Sequence, residues 1–258
     1  MRRPECLGLL GLVLGLLDIG AVGPAAHGQP AAPAAPTGME RALALLTEAR
    51  LRFRDIRDYE CALVKRERVN GNLSPEHVLM MRVRNRPYSV YLRWLAPETL
   101  RGQEVCYVAG RNAGMMRVHP VGLQGIFGFV SIDPQDPRAF EANRHPITEA
   151  GLGSLLENTA RYWEVERRLN KTQVRIADYQ FDGRPCTWIE TTHPDRGSGS
   201  YYAYRCVLCL DKATLLPVRV EAYDWPRPDG PRGGDLIECY SYLKLRPNVG
   251  LGDDAFDH

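Results

Sequence analysis

The sequence lacks the short motifs that identify the commonest catalytic and nucleotide-binding sites. It contains no Gly-x-Ser-x-Gly segment of the kind that carries a serine nucleophile, and no glycine-rich loop of the form that holds phosphates. The histidines His77, His119, His145 and His193 are scattered, without a pair at metal-ligand spacing. We therefore expect no catalytic residue, no metal and no cofactor, and we predict that the protein is not an enzyme.

The sequence also lacks an excess of charge of one sign. Its 33 Lys and Arg residues are nearly balanced by 31 Asp and Glu residues, and the two kinds are interspersed along the chain. Nucleic-acid-binding domains concentrate basic residues on one face, so we expect no nucleic-acid partner. No internal repeat of fixed period is present.

The first residues have the three parts of a secretory signal peptide. A basic start precedes an apolar run over residues 7–17, and small residues follow as far as Ala26-His27-Gly28. The apolar run is shorter than the roughly 20 residues of a membrane-spanning helix. We predict a signal peptide over residues 1–28, with cleavage at Val22-Gly23 or an uncleaved anchor as alternatives. The protein is then periplasmic or otherwise exported, and soluble after cleavage.

A Pro/Ala-rich linker follows the predicted signal peptide. Residues 29–37 cannot bury a core, so they are expected to form an extended tether. Residues 38–258 are enough for one large β domain or two small ones, and we predict a single domain that is a monomer.

The hydrophobic pattern changes along the chain from a helical period to the period of two that is typical of strands. Residues 39–56 form an amphipathic helix, because apolar side chains recur on one face. A second helix is predicted from Glu149 to Leu169, with Thr148 as its N-cap. Hairpin turns are predicted at Asn70-Gly71 and Asp182-Gly183. The ten predicted strands are 59–69, 77–85, 88–94, 103–109, 115–119, 174–181, 184–192, 200–211, 215–224 and 235–245.

This order of elements predicts an α+β fold that is mainly antiparallel β. About ten strands with short links form a large curled sheet or half-open barrel, and the two long helices cover its apolar concave face. A curled sheet of this size encloses more room than its own side chains fill, so a ligand cavity is expected.

Several motifs resemble an uncharacterised bacterial exported family, domain of unknown function 1571. They include Asp58-Tyr59-Glu60-Cys61, Arg86-Pro87-Tyr88, Gly102-Gln103-Glu104 and Arg144-His145-Pro146-Ile147, and the resemblance covers residues 39–256. It implies the fold of the lipoprotein carriers LolA and LolB, an incomplete barrel whose helices cap an apolar cavity. No catalytic residue is established for the family, so the resemblance supplies none.

We predict that the concave cavity binds an apolar or amphiphilic ligand, such as a lipid or the acyl chain of a lipoprotein. The expected ligand-binding residues are aromatic and apolar: Tyr59, Leu63, Met80, Val90, Leu92, Trp94, Trp163, Trp188 and Tyr204. The first alternative is a structural or protein-interaction module of the cell envelope whose barrel is filled. A second is an envelope enzyme that uses His145 and Glu149, although His145 is expected only to hydrogen-bond the entry of the helix. Peripheral contact with a membrane or an envelope protein is a further expectation.

An apolar loop and a group of charged residues each have both a functional and a structural interpretation. Five large apolar residues among glycines over 122–130 predict a lid, or else a loop packed permanently on the core. The lid residues are Leu123, Ile126, Phe127 and Phe129. Lys65, Glu67, Arg82 and Arg84 lie on adjacent strands, where they form either a solvated end of the sheet or a polar clamp for a headgroup.

The cysteines that follow Cys6 are even in number, and an exported chain can use them for disulfides. Cys206 and Cys209 lie within one predicted strand, which argues against a redox site, since thiol-exchange pairs usually begin a helix. Buried free thiols are one interpretation. The preferred pair is Cys186 with Cys206, because counting from the loop at 194–199 places them opposite each other; Cys239 is an alternative partner.

Overall fold

The computed structural model describes residues 35–257, apart from 194–195, 197–200 and the side chains of Gln124 and Phe127. The predicted signal peptide and most of the predicted linker lie outside the described residues, so both remain predictions. Among the described residues, no helix is both long and apolar enough to cross a bilayer.

Twelve strands form one antiparallel sheet. Its order is β7-β6-β5-β4-β3-β1-β12-β11-β10-β9-β8, with β2 paired to β1, and β7 and β8 are its two edges. The strands are β1 Asp58–Val69, β2 Asn72–Leu73, β3 His77–Asn85, β4 Tyr88–Ala96, β5 Glu104–Val108, β6 Met116–His119, β7 Val130–Ile132, β8 Gln173–Phe181, β9 Arg184–Thr192, β10 Arg205–Asp211, β11 Pro217–Tyr223 and β12 Leu236–Pro247.

The predicted fold class is confirmed, and the sheet is open. All ten predicted strands are present, and the additional strands are the short β2 and β7. Both predicted hairpin turns have two consecutive residues with positive φ, Asn70-Gly71 and Asp182-Gly183, as a tight two-residue turn requires.

The link between β7 and β8 crosses the sheet. These strands are opposite edges, so residues 133–172, hereafter the crossover segment, run over one face from edge to edge. The segment contains short 3₁₀ turns at Pro137–Phe140 and Ile147–Glu149, and then helix α2, Leu152–Leu169.

Helix α1, Gly38–Phe53, begins at a capping box. Thr37 accepts a hydrogen bond from the Glu40 N–H at 3.2 Å, and the Glu40 carboxylate accepts one from the Thr37 N–H at 2.7 Å. Its apolar face packs with α2 on the β9–β10 part of the sheet, in a cluster that contains Leu46, Trp163 and Ile189. In this part of the sheet the two helices therefore cover the concave face, as predicted.

The start of α2 differs from the prediction that Thr148 caps it. Thr148 lies in the preceding 3₁₀ turn, and Gly151, with φ of 92°, is the N-cap. The Leu152 N–H donates instead to the hydroxyl of Tyr59 on β1, at 2.8 Å. A side chain from the sheet thus replaces the local cap, which the sequence around Thr148 does not reveal.

The Tyr59 hydroxyl is expected to contribute about 1–3 kcal/mol to the free energy of unfolding, because without it the buried Leu152 N–H has no acceptor. Urea denaturation of Tyr59→Phe should show a lower midpoint with an unchanged slope. Tyr179→Phe is the matched control, since Tyr179 is 41% exposed. Equal losses of stability in the two variants would contradict the role of this hydrogen bond.

A double-mutant cycle tests the close approach at Gly151. A Cβ atom there would lie 2.3 Å from the Tyr59 hydroxyl oxygen, and φ is in the region that side chains rarely adopt. Gly151→Ala should therefore destabilise the protein, and by less in a Tyr59→Phe background, where the obstructing oxygen is absent. Additive effects of the two substitutions would show that this contact is not the cause of the destabilisation.

Candidate functional site

A cavity of about 450 Å³ lies between the concave face of the sheet and the crossover segment. This volume is within the range of small-molecule binding sites. Most of its wall is apolar, and strands β1 and β3–β7 contribute a continuous surface. The apolar side chains from these strands are Leu63, Leu79, Met81, Leu92, Trp94, Val105, Met116, Val118 and Ile132.

The remaining wall comes from α2 and from strands β10–β12. Helix α2 contributes Leu155, Tyr162 and Trp163, and the strands contribute Leu208 and Tyr242 among others. The lining residues that are also exposed lie in the crossover segment, and they are Arg138, Ala142, His145, Glu149 and Arg161. The cavity therefore meets solvent along this segment.

One part of the wall is polar, and its first element is a buried ion pair on β1. The Lys65 ammonium lies 2.7 Å from the Glu67 carboxylate and donates to the side-chain oxygen of Asn143, also at 2.7 Å. The Tyr240 hydroxyl donates to the other Glu67 oxygen. These contacts join strands β1 and β12 to the crossover segment.

The second element is centred on Glu238 of β12. Its carboxylate accepts from the Arg144 guanidinium at 3.1 Å and contacts the His145 imidazole at 2.9 Å. Arg144 also donates to the Arg68 carbonyl oxygen at 3.0 Å and to the Tyr202 hydroxyl at 3.3 Å. We call Lys65, Glu67, Arg144, His145, Glu238 and Tyr240 the polar cluster.

Opposing effects set the pKa values in the polar cluster. Burial raises the pKa of Glu67, but the charge and hydrogen bonds of Lys65 and the Tyr240 hydroxyl outweigh it and leave the pKa below its usual value. Burial lowers the pKa of His145, but the hydrogen bond and charge of Glu238 reverse this and raise the pKa above the usual range. Both shifts favour the charged forms of these side chains.

A third acidic group reaches the cavity from α2. Glu166 is 4% exposed, and its Oε2 lies 3.1 Å from Nε2 of the fully buried His193. The two atoms are not aligned as a hydrogen bond, and among the described residues neither has another hydrogen-bond partner. The thiol of Cys206 also lines the cavity, and burial, together with the charges of Glu166 and Glu238, raises its pKa. Glu166 therefore lies beside the polar cluster.

The structure brings part of the predicted ligand-binding set together at the cavity. Leu63, Leu92, Trp94 and Trp163 line it. The other five lie elsewhere. Tyr59 and Val90 are fully buried in the core; Met80 packs on the outer cluster around Phe256; Trp188 packs beside Cys186 and Tyr179; and Tyr204 lies near Trp225. Ligand binding by any of them remains a prediction.

Further lining residues were missed, for two different reasons. Val105, Met116 and Val118 follow the alternation of β5 and β6, so a face assignment extended to those strands would have found them. Leu155 and Tyr162 reach the cavity from the crossover segment. Only the order of strands in the sheet places that segment over the concave face.

The predicted lid is not the part of the chain that covers the cavity. Leu123 and Ile126 lie in a 3₁₀ turn between β6 and β7, with exposed fractions of 83% and 76%, and Phe129 packs against His119. The side chain of Phe127 lies outside the described residues. The crossover segment covers the cavity instead, because the connection between the edge strands must pass there.

The predicted polar clamp is divided between the two faces of the sheet. Lys65 and Glu67 face the cavity, in line with the burial of alternate residues along β1. Arg82 and Arg84 face outward, where Arg82 lies 3.7 Å from Glu60 and Arg84 lies 2.7 Å from Asp253. The contacts of Lys65 and Glu67 across the cavity come from the crossover segment and β12.

The predicted pair of Cys186 with Cys206 does not occur, and all six cysteines of the described part are free. Cys186 lies opposite Asp211, and Cys206 lies opposite Thr191. The offset of five residues along β10 corresponds to roughly 17 Å, whereas bridged Cα atoms lie within about 7 Å. Cys186 also packs in a separate cluster with Cys209 and Val218, while Cys206 lines the cavity. Counting residues from the loop at 194–199 gave the wrong pairing because β10 begins at Arg205, later than predicted.

The residues considered for an enzymatic role both line the cavity. His145 is paired with Glu238, and Glu149 ends the short 3₁₀ turn that follows. Over the described ranges of the chain, no group of three or more His, Cys, Asp or Glu side chains could hold a metal ion.

Comparison with known sequences yields one family. The model of a family described as "Protein of unknown function (DUF1571)" matches residues 56–258. This match confirms the resemblance that the sequence motifs predicted. No curated protein matches the chain.

Several solved structures are similar to the chain at low identity. An uncharacterised conserved protein from Thermus thermophilus has a TM-score of 0.47 at 8% identity, covering 84% of this chain and 93% of its own. The lipoprotein LppX from Mycobacterium tuberculosis has a TM-score of 0.44 at 13% identity, covering 83% and 98%. A LolA superfamily protein from Nitrosomonas europaea has a TM-score of 0.32 at 12% identity, covering 84% and 97%.

The contact between His145 and Glu238 should stabilise the protein more at acidic pH than at alkaline pH. The pKa of His145 is raised in the folded chain, so the stabilisation is complete below the unfolded value of about 6.5 and is lost as the pH rises through the folded value. The effect should stay below about 1 kcal/mol because the side chain is 39% exposed. Urea denaturation from about pH 5.5 to 8.5 should show that the difference in free energy of unfolding between the unaltered protein and His145→Gln becomes smaller as the pH rises.

His119→Gln provides the control, since the ring of His119 lies against Phe129 and not in the polar cluster. A gap for His145→Gln that is constant or widens with pH would contradict this assignment.

Proposed function

This chain belongs to the DUF1571 family of proteins of unknown function, and we propose that it is an exported binding protein for an amphiphile. The apolar chain of a lipid, or the acylated end of a lipoprotein, would occupy the cavity between the sheet and the crossover segment. The proposed function is binding and transport, without chemical change of the ligand.

The observation that carries this proposal is the composition of the cavity wall. A continuous apolar surface from β1 and β3–β7 ends at the polar cluster, so one cavity offers separate surfaces to the two ends of an amphiphile. An apolar cavity of about 450 Å³ offers water molecules few hydrogen-bond partners. An acyl chain would gain roughly 0.8 kcal/mol for each methylene group that it buries there.

The position of the exposed lining residues supports entry from one side. His145 and Glu149 belong to the crossover segment and line the cavity where it meets solvent. A ligand could therefore enter beside this segment without separating the strands of the sheet. Side-chain contacts of Asn143, Arg144 and His145 hold this stretch of the segment to the sheet.

The alternative of a structural module with a filled barrel is less well supported. It requires that side chains occupy the concave hollow, whereas Trp94, Leu92 and Val118 border open space. Exposed apolar residues such as Leu123 and Ile126 still offer a surface for a membrane or an envelope protein. Such a contact is compatible with ligand binding.

Native mass spectrometry of protein purified from its own cell envelope tests the proposal. We expect a co-purifying amphiphile with the unaltered protein, and its loss in Trp94→Arg, because the substitution places a charge in the apolar wall. Leu95→Arg is the matched control, since Leu95 follows on the same strand, faces outward and is 45% exposed.

Val118→Trp serves as a second variant that fills the cavity without adding a charge, so a folding defect in Trp94→Arg does not decide the result. Circular dichroism should show native secondary structure in the variants compared. Protein that carries no ligand and takes up no added lipid would contradict the proposed function, as would equal ligand retention by Trp94→Arg and Leu95→Arg.

A further inference from the structure

The buried charged side chains of the cavity wall all have partners within the protein. Five charged lining residues in the described part of the chain have exposed fractions of 9% or less, and each lies next to an opposite charge or a histidine. The pairs are Lys65 with Glu67, Glu238 with Arg144 and His145, Glu221 with Arg219, and Glu166 with His193.

An anionic headgroup in the polar cluster would have to break one of these pairs. If it took Lys65 from Glu67, a carboxylate that is 3% exposed would lose its cation. Removing one partner of a buried pair is strongly unfavourable, because the other charge is left buried and unpaired. Arg138 and Arg161 also line the cavity, but they are exposed, and Arg138 already pairs with Asp136.

The polar part of the wall instead offers hydrogen-bond acceptors. Five glutamates line the cavity, and an ionised carboxylate accepts up to about four hydrogen bonds. They are Glu67, Glu149, Glu166, Glu221 and Glu238. A ligand hydroxyl could donate to the carboxylates that line the cavity, whereas phosphate and carboxylate groups present only acceptors.

We propose that the cavity selects an uncharged amphiphile whose headgroup carries hydroxyl groups, such as an acylglycerol or a glycosylated acylglycerol, over amphiphiles with phosphate or carboxylate headgroups. This inference rests on the proposed function and adds the chemical class of the headgroup. The hydroxyl groups donate to the carboxylates around the polar cluster, and the acyl chain lies along the apolar wall.

Quenching of tryptophan fluorescence by brominated acyl chains measures this preference. Trp94 and Trp163 line the cavity, so a bromine atom on a bound chain quenches their emission. The probes are a dibromostearoyl monoacylglycerol, dibromostearic acid and a dibromostearoyl lysophosphatidylglycerol, compared at pH 8 with identical chains. The monoacylglycerol should bind the unaltered protein at least about tenfold more tightly than either anionic probe, since anion binding breaks a buried pair.

Glu238→Gln tests the cause of the preference. It removes the carboxylate that neutralises Arg144 and contacts His145, and so frees a cation beside the cavity. The affinity for both anionic probes should rise about tenfold, while that for the monoacylglycerol should fall, because its hydroxyl groups lose an ionised acceptor. Glu60→Gln is the control, because Glu60 pairs with Arg82 and Arg246 on the outward face; its preferences should equal those of the unaltered protein.

The possible results distinguish a failure of the headgroup inference from a failure of the proposed function. Equal affinities for the three probes, or a preference for an anionic probe in the unaltered protein, would overturn the headgroup inference and leave amphiphile binding intact. An unchanged preference in Glu238→Gln would overturn charge pairing as its cause. Absence of quenching by all three probes would contradict amphiphile binding itself, and the headgroup inference with it.

Discussion

The structure depends on one topological constraint: the chain must cross its own sheet. The first seven strands grow outward from β1 to the edge strand β7, and the last five begin at the opposite edge, β8. The link between these edges therefore lies over a face, and the apolar concave face requires a cover. The crossover segment meets both requirements, and the cavity is the space that remains beneath it.

Polar contacts of two kinds hold the crossover segment at its height above the sheet. The Tyr59 hydroxyl fixes the start of α2, and the polar cluster fixes the stretch around Arg144. Farther along, Trp163 packs α2 against α1 and the strands below. Apolar packing alone would draw the segment down onto the sheet, since closer packing buries more apolar surface. Fixed polar contacts at defined positions maintain the separation, and they favour a hollow over a filled core.

Local sequence patterns predicted the helices and strands well. Contacts between residues that are distant in the sequence could not be predicted in this way. Alternation along β1 placed Leu63, Lys65 and Glu67 on the concave face, and the two-residue turns fixed the neighbouring hairpins. The contact of His145 with Glu238 spans 93 residues, and no local pattern encodes it. The cysteine pairing failed for a related reason, because a count across the long loop after β9 assigned the wrong register to β10. A shift in register also changes which face each side chain occupies.

The same strand order constrains how the chain folds. The central pair of the sheet joins β1 to β12, with Tyr59 opposite Pro247, so the two halves meet only when the last strand is available. Contacts between residues so distant in sequence form slowly, because a long loop must close first. Until then β1 exposes an unpaired edge in the middle of the future sheet, where another chain could bind. A protein of this topology would therefore benefit from a chaperone or from rapid completion of the whole chain before it folds.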